Sequence, residues 1–223
     1  MEAAIAPKTK PYKGIAMEGM LATWYARNTA RSLAEFRDCA KHIAARLAPG
    51  ACVLEIAPGP GYLAIELARL GAYRVTGLDI SRSFVRIAAA NAARAGVVVD
   101  FRLGDAAALP FAADAFDFVV CRAAFKNFAD PVGALREMHR VLRSGGEARI
   151  IDMRKDAPRG AIADTVARMH LGRIDAFVTR AILASLRRRA YAKGDFTRML
   201  AATPFGRSAI AEEPIGLEVR LVK

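Results

Sequence analysis

Three acidic residues stand at or just past the ends of apolar runs. Glu55 lies inside VLEI, two residues before the turn Ala57-Pro58-Gly59-Pro60-Gly61. Asp79 closes RVTGLD, twenty residues after Gly59, and Asp105 follows Gly104 after a third run. Two prolines fix φ and two glycines remove side chains, so the turn is stiff and bare. A bare turn between a strand and a helix lets a ligand approach main-chain N–H groups at the helix N-terminus. Two ligands compete for it. Gly59-Pro60-Gly61-Tyr62-Leu63-Ala64 satisfies G-x-G-x-x-A, with Asp79 at the matching distance, which reads as a nicotinamide cofactor. Glu55 argues against that, because its carboxylate would repel a pyrophosphate and attract an ammonium group. Asp79 can accept from both hydroxyls of a ribose, and Asp105 from an exocyclic adenine amine. The ligand so described has an amine, a ribose and an adenine, and no phosphate.

These residues need a scaffold that brings strand ends together. Strand patterns are expected at Cys52–Ile56, Arg74–Asp79, Val97–Leu103, Phe116–Cys121 and Glu147–Asp152. Helical patterns lie between them, at Tyr62–Leu70, Ser83–Ala95 and Pro131–Leu142. Such alternation implies βαβ crossovers and a parallel sheet covered on both faces. Gly50, Gly71, Gly96 and Gly145–Gly146 read as helix C-terminal caps. Leu33–Leu47 predicts an amphipathic helix ahead of the core, and 154–200 predicts helices without a strand. The tail SAIAEEPIGLEVRLVK predicts a hairpin around Pro214–Gly216, added at the sheet edge. Ligands of such sheets bind at the carboxyl ends of the strands, beside the first one.

Composition bounds the reading. At 223 residues, 54% hydrophobic and 25% charged, the chain suits one full-sized globular domain. No apolar run reaches about 18 residues, so no membrane span is expected. MEAAIAPKTKPYKG lacks an apolar signal core, which predicts a cytoplasmic protein. Cys39, Cys52 and Cys121 form no CxxC pair and read as free thiols; no metal cluster is expected. The net charge is +12, and between Met153 and Thr203 eleven Lys or Arg face four Asp, a local +7. That segment either meets an anion or solvates itself.

A ligand with an amine, a ribose, an adenine and no phosphate is S-adenosylmethionine. VLEIAPGPG, VTGLDIS, GDAAALPFAADAFDFVVC and LREMHRVLRSGGEARIID, in that order, resemble the class I methyltransferases, in the small-molecule subgroup that includes quinone-biosynthesis enzymes. The resemblance covers roughly residues 50–153. It implies a doubly wound, Rossmann-like α/β fold: a mostly parallel seven-stranded sheet with helices on both faces and a C-terminal antiparallel hairpin. It further implies a single domain over 1–223, with a helical cap (1–49), a cofactor core (50–153), a basic helical insert or substrate lid (154–203) and a hairpin (204–223). Cofactor contacts are implied at Glu55, Ala57, Pro58, Gly59 and Gly61, at Asp79, Ile80 and Ser81, at Gly104, Asp105 and Ala106, and at Arg122 and Ala123. On the short helix carrying Met20, Trp24 and Tyr25, relatives use an aromatic to close over the cofactor, here Tyr25. Ala57 departs from the family, which usually has a glycine there.

Lys126 and Asn127 replace the His-His or His-Trp frequent in relatives, and are expected to position the acceptor. His139, His42, His170, Asp114 and Asp117 read as structural. The run LRRRAY (Leu186–Tyr191) is either a solvated face or part of a lid over the acceptor. The reaction implied is in-line transfer of a methyl group to a small-molecule thiol, hydroxyl, amine or carbon, leaving S-adenosylhomocysteine. The acceptor is anionic if the basic insert meets it. RNA or protein methylation is an alternative that the charge permits and that the absence of a Pro-Pro-Tyr/Phe motif after the fourth strand disfavours. A nicotinamide oxidoreductase is the more distant one.

Overall fold

The computed structural model describes residues 12–13, 16–71 and 73–223. The segment read for a signal core, and the start of the N-terminal cap, lie largely outside these. The core alternates as expected: β1 (Cys52–Ile56), α3 (Tyr62–Arg69), β2 (Arg74–Asp79), α4 (Arg82–Ala95), β3 (Asp100–Leu103), β4 (Phe116–Arg122), α5 (Pro131–Val141) and β5 (Leu142–Met153). Ahead of it stand α1 (Gly19–Thr29) and α2 (Leu33–Ala44). After it come α6 (Ala161–Arg168), α7 (Arg173–Arg189) and α8 (Lys193–Ala201), then β6 (Arg207–Glu212) and β7 (Gly216–Val222). The seven strands lie in the order β3-β2-β1-β4-β5-β7-β6, parallel except that β7 runs antiparallel to both β5 and β6.

Two apolar layers sandwich the sheet, because alternate residues of its buried strands point to opposite faces. Leu54, Ile56, Val119 and Cys121 face α5 and α8, meeting Leu135, Met138 and Phe196. Val53, Val75, Phe118 and Val120 face α2 and α3, meeting Phe36, Ile43, Leu63 and Leu67. Glu55 falls on this second face, in register between Gly77 and Val120. A Cβ on Gly77 would come within 2.6 Å of the Phe101 ring, and one on Gly61 within 2.8 Å of it. Those two glycines leave the slot that Phe101 fills, and the slot locks the first turn onto β2 and β3.

Several boundaries differ from the sequence reading, among them α2, which ends at Ala44 rather than Leu47. β3 starts at Asp100 rather than Val97, because the Val97 N–H bonds back to Ala92 O at the exit of α4. Gly96 caps that exit at φ 66°, as expected. α5 stops at Val141, and β5 begins at Leu142, which pairs with Phe116. Gly145 and Gly146 therefore sit inside β5 and do not cap α5; their N–H and C=O groups bond Lys223 across the sheet. The helical insert and the final hairpin form as predicted. Cys39, Cys52 and Cys121 are free thiols. Among the described residues, no helix is long and apolar enough to cross a membrane.

Candidate active site

The strands β1, β2 and β4 end at one edge, and the acidic residues converge there. Glu55 is 3% exposed, and its Oε2 has no hydrogen-bond partner. Burial pushes its carboxyl up to about 8, against the Ala64 N–H and the Arg122 guanidinium, which favour the charge; the Asp79 carboxylate pushes it further up. An orphaned, buried carboxyl oxygen at a ligand loop is a costly arrangement unless a donor completes it.

Asp79 holds the loop together. Its Oδ2 accepts from the Gly59 N–H at 3.0 Å and its Oδ1 from the Ser81 N–H at 2.9 Å. Burial raises its pKa, while those N–H groups hold it back. Ser81 caps α4, its hydroxyl accepting from Phe84 N–H at 3.0 Å and donating to Met17 O at 2.6 Å. Ile80 stands half out into solvent beside them.

The first turn corrects the sequence reading. A ligand was expected to approach main-chain N–H groups at the helix N-terminus, and the turn's own amides do not add to them. Instead Ala57 N–H donates to Leu78 O at 2.7 Å, Gly59 N–H to Asp79, and Gly61 N–H to Pro58 O at 3.0 Å. Pro58 and Pro60 have no N–H at all. Residues 57–61 thus have no amide left to bind a pyrophosphate, which weakens the dinucleotide reading at the turn itself. Gly61 is bare for packing against Phe101 and Ala88. Gly59 is bare toward the opening, where Tyr25 Cε1 stands 4.0 Å from the place of a Cβ. Tyr25 reaches that point braced edge-on against Phe84, at 5.7 Å. Met20 and Trp24 of the same helix point away into a groove against α4. Ala57, where the family resemblance implies glycine, adopts φ 55°, a left-handed conformation that costs a non-glycine residue roughly 1 kcal/mol. Ala123 does the same at φ 59° after β4.

Gly104 lies against Leu78, and its N–H donates to Asp79 O at 3.0 Å. Asp105, half-buried, turns its Oδ1 to the Ala107 N–H at 3.0 Å, with Ala106 buried beside it. Arg122 ends β4, but its guanidinium turns to α2, pairing with Glu35 at 3.1 Å and lying over the Phe36 ring at 4.4 Å. Its guanidinium reaches the site through its field at Glu55.

Lys126 is a second correction. It was expected to reach toward an acceptor. The short 3-10 turn Phe125–Asn127 instead stacks Phe125 on Phe196 at 5.2 Å and turns Lys126 inward. Its ammonium pairs with Asp152 at 2.7 Å, both side chains nearly fully buried, and also donates to Ala123 O. The Lys126 N–H donates to the other Asp152 oxygen at 2.9 Å. This pair locks the end of β4 to β5. Asn127 differs: its side-chain Oδ1 is buried with no partner. Asp152 was missed in the sequence, although it shows the signal that revealed Glu55, an acid within an apolar strand. Glu18 was missed too. Its carboxylate accepts from the Arg82 and Ser83 N–H groups at 2.9 and 3.0 Å, fixing α1 to the N-terminus of α4.

The residues read as structural are placed accordingly. Asp117 accepts from Cys52 N–H at 2.7 Å and Arg143 at 2.6 Å, Asp114 from Lys223 at 2.8 Å, and His139 packs edge-on against Phe205 at 5.0 Å. The Nδ1 of His42 meets Asp38 O at 2.7 Å, and His170 closes the end of α6 at φ 50°.

Comparison with known proteins identifies the family and the fold. A methyltransferase-domain family model matches residues 54–150. Demethylmenaquinone methyltransferase of Mycolicibacterium paratuberculosis is 36% identical over 167 residues, 74% of this chain and 69% of that protein. The Thermus thermophilus enzyme of the same name is 37% identical over 127 residues, 56% of this chain and 57% of that one. Among solved structures, a Methanococcus maripaludis protein described as an S-adenosylmethionine-dependent methyltransferase superimposes with TM-score 0.76 over 95% of both chains at 21% identity, a likeness of fold. The [4+2]-cyclase SpnF superimposes with TM-score 0.60 over 78% of this chain and 59% of its own, at 25% identity. The same scaffold thus hosts other chemistry, and the sequence relatives decide between them. On their evidence the chain belongs to the class I S-adenosylmethionine-dependent methyltransferases of small molecules, in the quinone-biosynthesis branch.

Proposed function

We propose that the chain methylates a reduced aromatic quinone, and that the carboxyl edge of β1, β2 and β4 holds the cofactor. The single observation that carries the cofactor placement is Glu55: a buried carboxyl oxygen without a partner, beside a turn with no amide to offer a phosphate. An ammonium group supplies the missing donor and brings the charge that ionises the carboxyl. Asp79 has lone pairs left on both oxygens for ribose hydroxyls, since each oxygen already receives one N–H. Asp105 and the Ala106 amide are the adenine partners, with Ile80 against the ring face. Tyr25 covers the bare side of Gly59.

S-adenosylmethionine supplies a methyl group on a sulfonium, which leaves as a neutral thioether. The protein's part is position and exclusion of water. The quinone class comes from the relatives' name and from Asn127, whose buried Oδ1 can accept the hydroxyl of a hydroquinone and so orient the ring. In that reaction a ring carbon bonds the methyl carbon as the S–CH3 bond breaks, and the ring proton leaves to solvent.

The test is a screen for S-adenosylhomocysteine release with reduced naphthoquinones, catechols, thiols and amines. Turnover of naphthoquinols, with a higher KM in Asn127→Ala, is expected. Turnover of a thiol or an amine, with none of any quinol, overturns the acceptor class. Calorimetry with S-adenosylmethionine and with NADH tests the cofactor independently.

A further inference from the structure

The helix α7 is turned inside out. None of its 17 residues is buried, although it is rich in apolar side chains. Ile174 is 80% exposed and Phe177 73%, and Val178 and Ile182 are exposed with them. These four, with Ala181, recur at three- and four-residue spacing, so they form one stripe along the helix. The side that does face the protein carries Ala176, Thr179, Leu183 and Leu186, each only half-buried. Met169 and Leu171, in the loop before α7, extend the exposed apolar surface.

Cations border the stripe. Arg173 and Arg180 lie along one side of it, the exposed Asp175 along the other, and Arg188 continues the stripe near the C-terminal end. None of the three arginines forms an ion pair among the described residues. Arg188 also lines a cavity of about 450 Å³ with Lys13, Lys155, Arg189 and Arg198, where Asp195 is the one carboxylate. Arg187 is different, since it donates to Lys155 O at 2.9 Å and Ala157 O at 2.8 Å and pins the helix to the start of the insert.

We infer that α7 docks on an anionic phospholipid surface, its apolar stripe in the headgroup boundary and its arginines against lipid phosphates. A stripe of aliphatic and aromatic side chains edged by arginine, on a helix too polar to span, has the character of an interfacial helix. A protein partner with an apolar groove would account for the stripe but not for the unpaired arginines along its one side and at its end. An anionic surface accounts for both, since arginines near it are drawn to the lipid phosphates. The C-terminal end of α7 leads to Tyr191, whose hydroxyl accepts from Lys13 at 2.6 Å, and Lys13 N–H bonds Asn127 O at 2.6 Å. Docking therefore places the acceptor edge beside the lipid. The docking does not depend on the proposed acceptor, although its use to the enzyme rests on that reading.

The test is sedimentation of the full chain with vesicles of phosphatidylcholine alone, or with about one-third phosphatidylglycerol. Binding at least tenfold tighter to the anionic vesicles, weakened by salt, is expected. Ile174→Ser with Phe177→Ser should reduce it at least tenfold, and Arg173→Gln, Arg180→Gln and Arg188→Gln together should remove the preference for anionic lipid. All these side chains are exposed, so circular dichroism and S-adenosylmethionine affinity should not change. Equal binding to both vesicles, or no loss in the serine variant, overturns the inference. So does a concentration-dependent dimer in ultracentrifugation that the serine variant disperses, which would make the stripe a contact between copies. Retained cofactor binding in any of these cases leaves the proposed function standing.

Discussion

The turn Ala57–Gly61 and the helix Arg173–Arg189 depart from ordinary packing in opposite directions. In the turn every available N–H is bonded within the chain, and the one orphan nearby is the oxygen of Glu55. In the helix the polar groups of the backbone satisfy one another, and the apolar side chains are what lack partners. The first arrangement asks for a single hydrogen-bond donor in a fixed place. The second asks for a surface and leaves position open. Residues that hold a small ligand are therefore set by bonds of a few ångströms, whereas those that meet an extended partner are set by a helical repeat.

Substitutions can break this contrast. The largest effect is expected at the pair that braces the edge itself: Lys126→Ala leaves Asp152 charged and buried, and should cost about 3–5 kcal/mol in denaturant unfolding. Lys126→Met with Asp152→Leu should recover much of that loss. Next is Asp79→Ala, which removes two N–H acceptors and the proposed ribose contacts. Its affinity for S-adenosylmethionine should fall well over tenfold, at about 1.5–3 kcal/mol per charged hydrogen bond. Unchanged affinity in the folded variant would remove the site assignment.

Glu55→Gln comes third, at about tenfold in cofactor affinity with adenosine binding spared. Its pH dependence is the sharper readout. With a carboxyl pKa near 8 in the free protein, ammonium binding at pH 7 must expel a proton. Cofactor affinity should therefore rise from pH 6 toward pH 8, and binding heats should vary with the buffer; Glu55→Gln should abolish both. The stability sign is the reverse. A carboxyl raised from 4.5 to about 8 binds more protons folded than unfolded between those values. The free protein then loses stability as pH rises through that window, and Glu55→Gln should flatten the loss. Ala57→Gly is smaller, a gain of roughly 1 kcal/mol or less in stability, because relief of the left-handed φ is partly offset by greater freedom of the unfolded chain. The smallest effect is Arg188→Gln, within about 0.5 kcal/mol of wild type in stability. Arg187→Gln, which breaks two bonds to carbonyls, should cost more than its neighbour.

What was legible in the sequence follows the same division. The strands around Glu55 and Asp79 were readable because burial on both faces makes their apolar runs continuous. The first residues of β5 were not, because Leu142 completes the helical spacing of α5 and Gly145–Gly146 reads as its stop, whereas the strand is set by the pairing of Leu142 with distant Phe116. Val97–Val99 is apolar, yet the exit of α4 claims its first amide. At the site, residue types announced the acids, but not where each N–H would be donated. Lys126 looked like a free cation because its partner, Asp152, lies 26 residues away. The three arginines at 187–189 looked alike in sequence, and only their position on α7 separates a structural one from an outward one.

The used-up amides of the first turn have one more consequence, for selectivity among cellular adenine compounds. Nucleoside di- and triphosphates carry the adenine and ribose that Asp105 and Asp79 would accept. They differ at the 5′ end, which in the proposed site meets the turn and Glu55. A phosphate chain arriving there finds no free N–H in residues 57–61 to replace its water, and any ionisation of Glu55 repels it. If the proposed site holds, it would discriminate against abundant nucleotides at the turn by withholding hydrogen bonds, which favours a rarer adenosine compound.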